Sequence, residues 1–198
     1  MTWGETASVN VNMKEEPSNK SSCFALTSIE LLCRRWHLSH RADKRALPIA
    51  DRHYNRQKIG SPKFVPPGRC IVLLTENADA LWVTSYPFAE YVKHEWAGAW
   101  VCSCFRNESA FLSSDLVTEA VAITRNKFGE PPPLGMITFV NPEKVRKKRD
   151  FGRCFIKAGF KVVGKTKGGL IALQLLPEAM PLPIAPINSQ PSLFSVAA

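Results

Sequence analysis

The chain has 198 residues, 26 Lys and Arg against 17 Asp and Glu, a formal charge of +9, and 45% hydrophobic and 10% aromatic content. That composition excludes a wholly disordered chain, whose apolar content is too low to offset the entropy of ordering, and supplies enough apolar surface for one domain of ordinary size. No run approaches the roughly 18 apolar residues that cross a bilayer, and residues 1–20 are polar with acids at Glu5, Glu15 and Glu16, unlike a signal peptide, so a soluble, cytoplasmic protein without a membrane partner is expected.

Residues 1–27 lack periodicity and read as a disordered segment. The folded domain is expected over residues 28–178, followed by a tail in which Pro177, Pro181, Pro183, Pro186 and Pro191 oppose helix and central strand. Within the domain, residues 43–57 read as a helix around Ala46, Ile49, Ala50 and His53, ended by Lys58-Ile59-Gly60-Ser61-Pro62. Residues 69–75 and 80–85 are apolar runs of strand length joined by a polar loop, and residues 96–105 are a third strand. Ser113-Ser114-Asp115 offers a serine N-cap and a first-turn carboxylate to a helix in which Leu116, Val117, Ala120, Val121, Thr124 and Phe128 recur at helical spacing until Gly129. Residues 134–140 form a strand, 150–158 a short helix capped by Asp150, and 161–164 with 170–176 a closing strand pair. This order implies an α/β fold, a mixed but mostly antiparallel central sheet flanked by helices.

Six cysteines are present without a CxxC pair. Most sit in apolar runs where a thiol is a small buried hydrophobe, so reduced cysteines and no metal site are expected, with Cys102 and Cys104 on one face of their strand. The positive charge is uneven. Residues 34–69 hold ten Lys and Arg against two acids, residues 143–167 hold ten against two, and the remainder sums to −7. Two basic segments on an acidic background suit a polyanion, and nucleic acid is favoured over membrane because no basic amphipathic helix accompanies them.

The segment Arg153-Cys154-Phe155-Ile156-Lys157-Ala158-Gly159-Phe160, followed by Val162-Val163-Gly164, resembles the closing motif of the GNAT acyltransferases, and the order of elements over residues 69–176 is similar to that family's. The resemblance implies an acyl-CoA N-acyltransferase fold with acetyl-CoA or a related acyl donor as cofactor. Its glycine-rich phosphate loop is replaced by Arg106-Asn107-Glu108-Ser109-Ala110-Phe111-Leu112-Ser113-Ser114, without glycine, and the tyrosine of the family's last helix by Phe155. A narrower likeness lies in His53-Tyr54-Asn55-Arg56, Phe105-Arg106-Asn107-Glu108, Thr138-Phe139-Val140 and Lys148-Arg149-Asp150 before Gly152-Arg153-Cys154, which together look like the phage Mom-type DNA modification proteins. That likeness implies transfer of a carbamoylmethyl (acetamido) group to the exocyclic amine of adenine in duplex DNA, as protection from restriction, in the host cytoplasm. An ordinary N-acetyltransferase and an inactive scaffold that binds DNA stand as alternatives.

Adenine's exocyclic amine is nearly non-basic, so its transferase needs a proton acceptor and a polarising donor. His53, Tyr54 and Asp150 are the candidate catalytic residues. Against these roles stand a helix-capping His53, a packed Tyr54 and an N-cap Asp150. Arg106, Asn107, Ser113 and Ser114 are the candidate cofactor contacts, the alternatives being an Arg106–Glu108 pair and serine caps. Arg52, Arg56, Lys58, Lys63, Arg146, Lys147, Lys148, Arg149 and Arg153 are the candidate DNA contacts. Trp82, Tyr86, Trp96 and Trp100 read as core, with one of them available to stack on an extruded base.

Overall fold

The computed structural model describes residues 34–92, 94–145 and 150–187. The expected disordered segment 1–27, the basic residues Arg146, Lys147, Lys148 and Arg149, and the end of the Pro-rich tail lie outside the described residues. The strands are β1 (Trp36–Ser39), β2 (Arg69–Thr75), β3 (Ala80–Tyr86), β4 (Trp100–Asn107), β5 (Met136–Val140), β6 (Lys161–Lys165) and β7 (Ile171–Leu175), and the helices are α1 (Ala46–Asp51), α2 (Ser113–Phe128) and α3 (Arg153–Lys157). The strands form one sheet in the order β1-β2-β3-β4-β5-β7-β6. Every adjacent pair is antiparallel except β4 and β5, which α2 connects as the crossover that parallel neighbours require. The mixed, mostly antiparallel α/β sheet agrees with the sequence reading.

Two apolar layers fix which side of the sheet each helix occupies. On one face, α2 and α3 bury Leu116, Val117, Val121 and Phe155 against Trp82, Trp100, Met136 and Leu173. On the other, α1 buries Ala46, Ile49 and Ala50 against Val72, Leu74, Leu81 and Val83.

Strand β1 has no apolar run to announce it. Trp36 is completely buried and its indole donates to the Leu116 carbonyl at 2.9 Å, while the amides of Arg35 and Trp36 donate to the carboxylate of Glu119 on α2. Burial raises the Glu119 pKa, and those two amides and Arg35 oppose the rise. The Pro-rich segment stays packed as far as Ile187. Arg125 donates to the carbonyls of Met180 and Pro181, the Ile184 amide donates to Ala122, and Ile187 bridges His37.

Four element boundaries correct the sequence reading. Helix α1 covers only residues 46–51, because Asp51 turns its carboxylate to Arg56 and to the Gly60 amide, and so closes a loop where a longer helix was expected. The N-cap of α2 is Leu112 with no side-chain cap, and Ser113 is the first helical residue. Helix α3 begins at Arg153 after a left-handed Gly152 (φ 72°), so Asp150 is not its cap. Strand β4 begins at Trp100 rather than 96, after a turn closed by the Ala99 amide on the Trp96 carbonyl.

Candidate active site

Strands β4 and β5 pair only from Trp100–Met136 to Cys102–Thr138. Beyond that rung β4 follows β3 out to Asn107, and β5 follows β7 out to Val140. The divergence starts at a β-bulge. Val83 faces Cys104 and Thr84 faces Cys102, which leaves Ser103 as the extra residue of β4, and an extra residue bends its strand. The bulge also corrects the placement of the two thiols. Cys102 packs in the layer under α2 and Cys104 in the layer under α1, so they lie on opposite faces.

A cavity of about 670 Å³ fills this divergence at the carboxyl ends of the two strands, where α/β sheets bind ligands. Its walls come from both faces of the sheet. From the α1 side come His53, Tyr54 and Cys104, and from the α2 and α3 side Cys102, Ser114, Gly152, Arg153 and Phe155. Phe105, Arg106 and Asn107 end β4, Phe139 and Val140 end β5, and Asp150 and Phe151 follow from the next connection. His53, Tyr54, Arg106, Asn107, Ser113, Ser114, Asp150 and Arg153, expected at the site from four separated stretches of sequence, line this one cavity. Arg52, Arg56, Lys58 and Lys63 do not line it.

The interior carries little charge. Burial, with the nearby Arg106 guanidinium, lowers the His53 pKa to about 4, against the pull of a backbone hydrogen bond at Phe105. The Asn55 amide approaches His53 Nδ1 at 3.3 Å, an acceptor role that also requires a neutral ring. Burial raises the Tyr54 pKa beside the Cys102, Cys104 and Cys154 thiols, with a backbone hydrogen bond at Asn141 opposing. Burial likewise pushes Cys104 to about 12 and Cys102 well above its ordinary value. At neutral pH the floor therefore presents a neutral imidazole, a phenol and thiols. The charges ring the opening, with Arg106, Lys144, Arg153 and Lys157 against Asp150.

Several side chains are held by one another. The Glu108 carboxylate accepts Arg52 Nε and Nη2 at 2.9 and 2.6 Å and Arg106 Nε at 2.6 Å, and these bonds, Arg52 first, hold its pKa near 2. Arg106 also donates to the Arg52 carbonyl, so this cluster ties the end of α1 to the end of β4. Both readings of Arg106 apply together, as it pairs with Glu108 and lines the cavity. Arg56 is nearly enclosed, bonding Asp51 at 2.7 Å and the carbonyls of Lys63 and Ser61. Arg153 pairs with Asp150 at 2.8 Å.

The loop before α2 is built around Asn107. Its Nδ2 donates to the Phe111 carbonyl and to Ser113 Oγ, and its Oδ1 accepts from the Ser109 amide and hydroxyl. An acyl-CoA pyrophosphate would meet these side chains where a glycine-rich loop offers bare amides, so the residues present do not fit that cradle.

No protein-family model, curated protein or solved structure matches this chain. Among the described residues no group of three His, Cys, Asp or Glu is arranged to hold a metal ion, the four cysteines are unbridged, and no helix is long and apolar enough to cross a membrane. Trp82, Trp96 and Trp100 are core, Tyr86 packs on Phe128, and none of the four lines the cavity. The aromatic walls are Phe105, Phe139, Phe151 and Phe155 with His53 and Tyr54. Sequence reasoning gave none of these phenylalanines a role in the site: Phe105, Phe139 and Phe155 lie in or beside apolar runs, the usual pattern of core, and Phe151 stands alone between Asp150 and Gly152.

Proposed function

We propose that this protein is a GNAT-like group transferase that modifies the exocyclic amine of adenine in DNA, as the Mom-type resemblance implies. The observation that carries the reading is the convergence of His53, Tyr54, Arg106 and Asp150 on one cavity between diverging parallel strands. An uncharged, aromatic floor under a cationic rim suits a flat neutral base whose phosphates remain outside. Walls drawn from both faces of the sheet give a donor and an acceptor different surfaces to contact.

In this reading the amine nitrogen attacks the electrophilic carbon of the donor as the bond to the donor's leaving group breaks. The Asp150 carboxylate takes the proton the amine loses. The neutral Tyr54 hydroxyl, with its raised pKa, gives a hydrogen bond or a proton to the departing group. His53, neutral and bonded to the backbone, orients the Tyr54 ring. Arg106, bonded to Glu108 and to the Arg52 carbonyl, fixes the end of β4 and helps keep His53 neutral.

Mass spectrometry of nucleosides from DNA co-expressed with the chain tests this. A new adenosine species that disappears with Tyr54→Phe is the expected result. Unmodified DNA with turnover of acetyl-CoA on an amine overturns it in favour of an ordinary acetyltransferase.

A further inference from the structure

We infer that the described lysines of the second basic segment, Lys144, Lys157, Lys161, Lys165 and Lys167, and not the first segment, dock the phosphate backbone of duplex DNA, along a track that leaves the cavity rim and follows the outer edge of the sheet. This inference rests on the DNA reading above and names the surface that reading needs. The two segments carry equal charge in the sequence, but most of the first is arginine engaged by the protein itself, which leaves Lys44, Lys58 and Lys63 as its exposed lysines, against five in the second. All seven arginines between Arg34 and Arg69 bond groups of the protein itself: Arg35, Arg45, Arg52 and Arg56 bond carboxylates, and Arg34, Arg41 and Arg69 bond backbone carbonyls. A guanidinium already bonded to a carboxylate offers a phosphate little new interaction.

In the second segment Lys144, Lys157, Lys161, Lys165 and Lys167 are all exposed, and among the described residues none is in an ion pair. They are also contiguous. Lys144 and Lys157 line the cavity with Arg153, and Gly159 (φ 95°) turns the chain from the end of α3 straight into β6 and Lys161. Strand β6 is the last of the sheet. A bulge leaves Val163 unpaired, so Lys161 faces Gln174 and Lys165 faces Ile171, three rungs or about 10 Å apart, and the two lysines flank the open edge from its two sides. Apolar groups exposed along this edge are Ile156, Val162 and Val163, without the aromatic or leucine side chains that insert into lipid, so the occupant is a phosphodiester backbone rather than a bilayer.

The test is the salt dependence of binding to a labelled duplex oligonucleotide, read by fluorescence anisotropy. The K157S/K161S/K165S/K167S variant should lose about 3 to 4 units of log–log slope, at roughly 0.9 per phosphate contact. The control K44S/K58S/K63S should keep the wild-type slope. Replacing the same four lysines with arginine should also keep it, and K161S/K165S alone should lose about 2 units, which separates charge from folding. Equal losses in the four-lysine variant and the control overturn the inference, as does binding by the wild type to phosphatidylserine vesicles but not to duplex DNA. Nucleoside analysis in parallel keeps the two readings apart. Modified DNA with an unchanged slope in the four-lysine variant removes the track alone, whereas a lost slope with no modification by the wild type keeps the track and removes the transferase.

Discussion

The rings of His53 and Tyr54, neighbours in the chain, stack with centroids 4.5 Å apart and planes 27° apart. The imidazole is uncharged at neutral pH and bonded to the backbone, so it acts as a fixed plate that sets the direction of the phenol. Tyr54→Phe keeps the stack and removes the hydroxyl. Adenine modification should fall by roughly a hundredfold or more, the usual scale for a proton-transfer group, while the melting temperature stays within a few degrees of wild type. Nucleoside mass spectrometry and thermal unfolding check the two halves, and full activity in the Phe variant would remove Tyr54 from the chemistry.

His53 also sets a pH window for stability. Its folded pKa, about 4, lies below its ordinary value of 6.5. Above 6.5 both folded and unfolded chains hold a neutral ring and the stabilisation is fully present. As the pH falls from 6.5 toward 4, only the unfolded chain takes up the proton, and up to about 3 kcal/mol is lost. Glu108, depressed from 4.5 to about 2, contributes in the same sense but loses its stabilisation lower, as the pH falls from about 4.5 toward 2. Urea unfolding at pH 7 and pH 4.5 should show a larger loss in the wild type than in His53→Gln, which keeps the contribution of His94, also lowered by burial. Equal losses in both proteins would assign the window to other groups.

What was legible in the sequence follows the physics of each element. Strands β2 and β3 announce themselves because Ile71–Leu74 and Leu81–Val83 are buried on both faces of the sheet and so form continuous apolar runs. Strand β1 does not, because Trp36 stands among basic residues and its pairing depends on Glu119, far away in sequence. The bulge at Ser103 leaves no compositional mark, and alternation alone put Cys102 and Cys104 together. Of the cavity lining, His53, Tyr54, Arg106 and Asp150 were among the residues the sequence reading had named. The bonds that occupy Arg52 and Arg56 were not, since an arginine in a basic segment reads the same whether it is free or bonded to a distant carboxylate.

Gly152 joins stability to the site. Its φ of 72° is left-handed, and a Cβ there would lie 2.7 Å from Leu173 Cδ1 and 3.2 Å from Val140 Cγ2. Gly169, with φ 79°, has nothing within 4 Å of the same position. Gly169→Ala should therefore cost only the backbone strain, about 1 kcal/mol. Gly152→Ala adds overpacking and should cost about 2 to 4 kcal/mol. It should also reduce modification, because the shift needed to relieve the contact moves Arg153 and Asp150 at the cavity. Urea unfolding of the two variants compares them, and equal costs would mean that the core around Leu173 yields freely.

Asp150 is where a structural and a chemical role separate most cleanly. Gly152 occupies the N-cap of α3, so capping gives Asp150 no part in stability. Its described partner is Arg153 at 2.8 Å, with the two side chains 40% and 56% exposed, and an ion pair that open contributes under about 1 kcal/mol. Asp150→Asn keeps the shape and a hydrogen-bond acceptor for Arg153 but cannot take a proton from an attacking amine. A structural role predicts nearly full activity and a small change in stability. A proton-accepting role predicts the same small change in stability with modification reduced by about a hundredfold or more. The companion variant Arg153→Gln, which leaves the carboxylate in place, should keep activity within about tenfold if the proton acceptor is Asp150 itself, since it removes an orienting bond and not the acceptor. Loss of activity in Arg153→Gln with retention in Asp150→Asn would reverse the assignment and make the guanidinium the functional group of this pair.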